Sequence, residues 1–143
     1  METYKEMNAR HQAEINALPL YFAFSMDQYK RILTDLGITE EEARNGELLA
    51  IGSGGFIRSS DKELIINTFE RIESEKKAAI EADKTGEGFI YQMFLYELQN
   101  HEFIITQDTE ETLTELGIGE EDLRKSAALR YGLCKAITKI NDL

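Results

Sequence analysis

The chain is 143 residues long, with 42% apolar and 30% charged side chains and a formal net charge of −11. Such a length and apolar content support one folded domain over residues 1–143, with a core that needs no disulfide or metal staples. The acidic balance argues against gripping a nucleic-acid backbone, which takes clustered Lys and Arg, and it suits a basic protein partner.

In chain order, Tyr4, Met7, His11, Ile15 and Leu18 recur at spacings of three and four, which predicts a helix over 2–17. Pro19, the single proline, ends that pattern. LPLYFAF (18–24) is aromatic and extended-prone, a candidate strand. Ser25 can cap a helix over 26–36 whose inner face carries Tyr29, Ile32, Leu33 and Leu36. A short helix over 39–45 follows. Residues 47–60, ELLAIGSGGFIRSS, read as strand, glycine turn, strand. Ser59 or Ser60 then caps a long helix over 61–83, with Leu64, Ile65, Phe69, Ile72, Ala79 and Ile80 expected inside. Lys84-Thr85-Gly86 breaks it.

Residues 88–103 form the most apolar helical segment and are expected to be central. Phe103 to Ile105 can be a short strand or a simple exit. Thr106 or Asp108 caps a helix over 109–116, and a last helix spans 119–141, with Leu123, Ala127, Tyr131, Cys134 and Ile137 on its apolar stripe. The sum is a helix-rich α+β domain, about six or seven helices around a small antiparallel sheet or hairpin.

One segment is nearly repeated. ILTDLGITEEEAR (32–44) and TLTELGIGEEDLR (112–124) match at eight of thirteen positions. Each reads as a helix end, a left-handed glycine corner at Gly37 or Gly117, and a new helix start. Local convergence and duplication both produce such a pair.

Cys134 is the lone cysteine, which excludes a disulfide framework and fits a reducing compartment. No run approaches about 18 consecutive apolar residues, and METYKEMNARHQAE lacks a signal peptide's apolar core. The expectation is a cytoplasmic protein without a membrane segment.

LPLYFAFS, IGSGGFIR, ADKTGEGFIYQMFLYELQNHEF and the second LxELGI segment resemble a family of small uncharacterised proteins of gut Firmicutes, Bacteroides and their phages. The resemblance spans most of the chain. It implies a bacterial or phage setting and carries no activity with it.

Two places offer chemistry. Glu97 and His101 stand one helical turn apart, the right residue types for proton transfer or metal ligation. The second His of an HExxH pattern is missing, and a helix-end ion pair explains the same residues. Ser53, Gly54 and Gly55, with Arg58 beyond them, can present backbone N–H groups to an anion, or can be a tight hairpin turn. The candidate ligand-binding set is therefore Ser53, Gly54, Gly55, Arg58, Glu97 and His101. No catalytic residue, metal or cofactor is assigned, nor is an oligomeric state. Two functions stay open: a small acidic accessory or inhibitor-type protein that binds another protein, or a small-molecule-binding protein or enzyme built on those six residues.

Overall fold

A computed structural model describes residues 1–142. In chain order its elements are α1 (Tyr4–Asn16), β1 (Tyr21–Phe22), α2 (Met26–Leu36), α3 (Glu40–Glu42), β2 (Leu48–Gly52), β3 (Gly55–Arg58), α4 (Lys62–Ala82), α5 (Phe89–Asn100), α6 (Phe103–Thr106), α7 (Glu110–Leu116), α8 (Glu120–Lys125) and α9 (Ala127–Asn141). The fold is helix-rich α+β with one antiparallel sheet, ordered β1-β3-β2. The chain divides into two compact units, residues 1–12 with 73–143, and residues 13–72.

In the unit of residues 13–72, the core is Ile32, Leu33, Ile38, Ala43 and Leu48, with Tyr29 and Phe56 packed against it. Ser25 caps α2 by accepting from the Gln28 amide, as its position before the apolar run predicts. Thr39 and Glu42 form a full capping box at α3. The β2–β3 hairpin turns through Ser53 and Gly54, both at positive φ (53° and 77°), the twist of a two-residue hairpin loop.

In the unit of residues 1–12 and 73–143, α5 supplies Phe89, Ile90, Met93, Phe94 and Leu98 to a core shared with Tyr4, Leu129, Ala136 and Ile140. The apolar composition of residues 88–103 therefore marks the central helix correctly. α5 and α9 meet at Gly132, where a Cβ would stand 2.5 Å from Ile90 Cγ2 and 3.1 Å from the Tyr91 nitrogen.

Both LGI segments form the same corner. Gly37 (φ 68°) and Gly117 (φ 70°) are left-handed. The Ile38 amide donates to the Leu33 carbonyl at 2.9 Å, and Ile118 to Leu113 at 3.0 Å, the paired closure of a Schellman stop.

Several expectations are corrected. The helix expected over 119–141 is two helices, because Ser126 is extended and its hydroxyl caps α9 through the Leu129 amide. The buried face of α9 is Leu129, Gly132, Ala136 and Ile140, set by the close approach at Gly132, so Cys134 and Tyr131 are exposed. Phe103 to Ile105 form a helical turn rather than a strand. On α4, Leu64 and Phe69 are exposed; Ile65 and Ile72, seven residues apart on one line, are the buried pair of the expected stripe, and the other two flank that line on opposite sides. Splitting the last helix and adding the turn at 103 takes the expected six or seven helices to nine α-helical segments among the described residues.

Candidate functional site

The six sequence-predicted residues fall in two groups. Ser53, Gly54, Gly55 and Arg58 belong to the unit of residues 13–72, Glu97 and His101 to the other.

In the hairpin, Gly54 and Gly55 are small for a packing reason as well as a turn reason. A Cβ on Gly54 would sit 2.5 Å from the Phe24 ring, and one on Gly55 would sit 2.8 Å from Ile51. The Gly54 carbonyl accepts from the Ala23 amide at 2.9 Å. Arg58 ends β3 opposite Leu48, and its Nε is buried without a hydrogen-bond partner among the described residues.

Glu97 and His101 occupy the last turn of α5 and its C-terminal cap. Their surroundings contain more than the sequence announces. Glu97 is 7% exposed, an unusual place for a carboxylate, and the Tyr4 hydroxyl donates to its Oε1 at 2.9 Å. Tyr4 reaches it because the first helix buries its apolar stripe in this core. Burial, then the Glu97 carboxylate, push the Tyr4 pKa far above the usual tyrosine value, so the hydroxyl stays a donor.

Beyond His101 the chain reverses. Glu102 and Gln107, both at φ 54°, bracket α6 with left-handed turns that few non-glycine residues adopt. α7 follows and supplies Glu111 and Glu115. His101 Nε2–H donates to Glu115 Oε2, and Nδ1 lies 3.5 Å from Glu111 Oε1. Burial lowers the His101 pKa, but the Glu115 hydrogen bond and the Glu115, Glu111 and Glu97 charges outweigh it, and the imidazole is held above its ordinary value. One donor atom each from Glu97, His101 and Glu115 lies within 4.8 Å of the others. A surface cavity of about 500 Å³ opens here, lined by His101, Glu111 and Glu115 among others.

The spacing of Glu97 and His101 made that pair visible in the sequence. Tyr4 and Glu115 were not, because each arrives from a distant element. Glu111 and Glu115 sit four apart on α7, but so do many solvated carboxylates.

No curated protein and no solved structure matches the chain. A family model does match, over residues 3–139, and the chain belongs to that family of unknown function, DUF7659.

Proposed function

We propose that this is a small acidic accessory or inhibitor-type protein that works by binding another protein, through the apolar surface around β1 and the β2–β3 turn. The observation that carries the reading is the gathering of Phe22, Phe24 and Ile51 around Gly54 and Gly55; the three are 54%, 76% and 49% exposed. Phe22 stands opposite Gly55 in register, and the Ile51 side chain lies against the same glycine, so both flank it on one face. The Phe24 ring covers Gly54. Apolar side chains scattered singly are ordinary on a surface, whereas clustered aromatic and aliphatic side chains are the composition of an interface core.

β1 is also an edge strand of the sheet. An edge strand is where an added extended segment can pair, and the phenylalanines would then serve as side-chain anchors. The net charge of −11 favours a basic partner and disfavours nucleic acid. The resemblance of the sequence supports a bacterial or phage cytoplasmic setting, and no helix among the described residues is long and apolar enough to cross a membrane.

The test is affinity capture from the native host with wild type and with a Phe22→Ser/Phe24→Asp variant, after circular dichroism shows that both are folded. A basic protein enriched by wild type and lost with the variant supports the reading. Identical captured sets contradict it.

A second reading, a small-molecule-binding protein or enzyme, draws its support from the convergence of Tyr4, Glu97, His101 and Glu115.

A further inference from the structure

We propose that Glu97, His101 and Glu115 hold one divalent cation of zinc size, with Tyr4 and Glu111 orienting the ligands. The inference is independent of the partner-binding surface and identifies a ligand for the second reading.

The donor set comes first. Two carboxylates and an imidazole are ligands of first-row divalent cations, and as two negative charges with a neutral ring they balance a 2+ ion. The three donor atoms lie within 4.8 Å of one another. Donors around a tetrahedral cation stand about 3.4 Å apart, given bonds of about 2.1 Å. His101 and Glu115 already touch, so side-chain rotation of Glu97 and Glu115 closes the set.

Glu97 supplies the second observation. It is 7% exposed, and among the described residues the donor to its carboxylate is Tyr4, through Oε1. The other oxygen takes no donor from the described residues and keeps access to solvent, and the carboxylate belongs to the cluster around His101. Tyr4 leaves that second oxygen free to serve as a ligand on the side of the cluster. A cation there gives the second oxygen the partner that Tyr4 gives the first.

The outer contacts also match a metal site. A ligating histidine commonly turns its far nitrogen to a carboxylate, which fixes the tautomer. Here Nδ1 faces Glu111 Oε1 at 3.5 Å, leaving Nε2 for the cation once its proton is displaced. Tyr4 orients Glu97 in the same way. Glu97 and His101 lie at the C-terminal end of α5, whose dipole favours positive charge. The adjoining cavity of about 500 Å³ gives a path of entry and room for a fourth ligand.

The test uses the full chain, dialysed against a chelator and titrated calorimetrically with ZnCl2, with MgCl2 as control. One saturable zinc site is expected. Glu97→Gln and His101→Gln should each weaken it at least about ten-fold, Tyr4→Phe by about ten-fold, and His11→Gln not at all. Should the Glu97 or His101 variants fail to fold, the wild type decides alone: zinc should shift the ring nitrogen resonances of His101 and leave those of His11 in place. Wild-type binding weaker than about 1 mM, undiminished binding in folded Glu97→Gln and His101→Gln, or unmoved His101 resonances at saturation would overturn the proposal.

Discussion

The Tyr4 hydroxyl donates to Oε1 of Glu97 at 2.9 Å, a buried bond between residues 93 apart in sequence. It fastens the start of the first helix to the core around α5, and it is the side-chain donor to the buried carboxylate. Tyr4→Phe keeps the ring packing against Phe89 and Tyr96 and removes that donor. Metal-free protein should lose about 1–3 kcal/mol, read from urea midpoints at unchanged slope. A loss under about 0.5 kcal/mol would show that water serves Glu97 equally well.

Asp83 caps α5 from a distance of several residues. Its Oδ2 accepts from the Gly88 and Ile90 amides at 3.1 and 3.0 Å, and Oδ1 from Gly86 at 3.0 Å. Burial raises its pKa, but the Ile90, Gly86 and Gly88 amides outweigh that and hold the carboxyl below its ordinary value of 3.8. A depressed folded pKa means stability that is complete above the unfolded value and lost as pH falls through the folded one. Asp83→Asn should therefore cost about 1 kcal/mol near neutral pH, with the gap to wild type narrowing below about pH 4. A constant gap across that range would show that the charge contributes nothing.

Gly132→Ala places a Cβ 2.5 Å from Ile90 Cγ2, 2.8 Å from the Gly86 carbonyl oxygen and 3.1 Å from the Tyr91 nitrogen. Helix propensity alone favours alanine by about 1 kcal/mol. Two of the three obstacles are backbone, which cannot step aside, so the net result should be a loss of about 1–3 kcal/mol in thermal or urea unfolding. A stabilised Gly132→Ala protein would mean that α5 and α9 are not in close contact there.

The two glycine corners should respond alike. Gly37 and Gly117 have open space where a Cβ would go, so only their φ of 68° and 70° penalises a side chain. Gly37→Ala and Gly117→Ala should each cost about 1–2 kcal/mol, with Asn variants costing less, when unfolding free energies are compared. A large effect at one corner and none at the other would break the equivalence.

Those corners show what the sequence made legible. Glycine after an apolar-periodic run, then Thr39 with Glu42 or Gly119 with Asp122, is local chemistry, and local chemistry can be read along the chain. The hairpin, the Ser25 cap and the central position of α5 were legible for the same reason. The buried face of the last helix was not, because it depends on Gly132 admitting Ile90 and Tyr91 of α5, a contact distant in sequence. The cap at Asp83 hid behind a break read only from Lys84-Thr85-Gly86. In the candidate site, the pair four apart on one helix was visible, whereas Tyr4 and Glu115 enter through tertiary packing and a reversal at Glu102 and Gln107, neither of them glycine.

On the proposed function, the surface around Phe24 meets another protein. A photo-crosslinking phenylalanine analogue placed at position 24 in the native host tests it most directly, with position 131, also exposed, as the control. A discrete higher-mass adduct is expected from position 24 and none from position 131. No adduct at 24, or the same adducts from both positions, would contradict it.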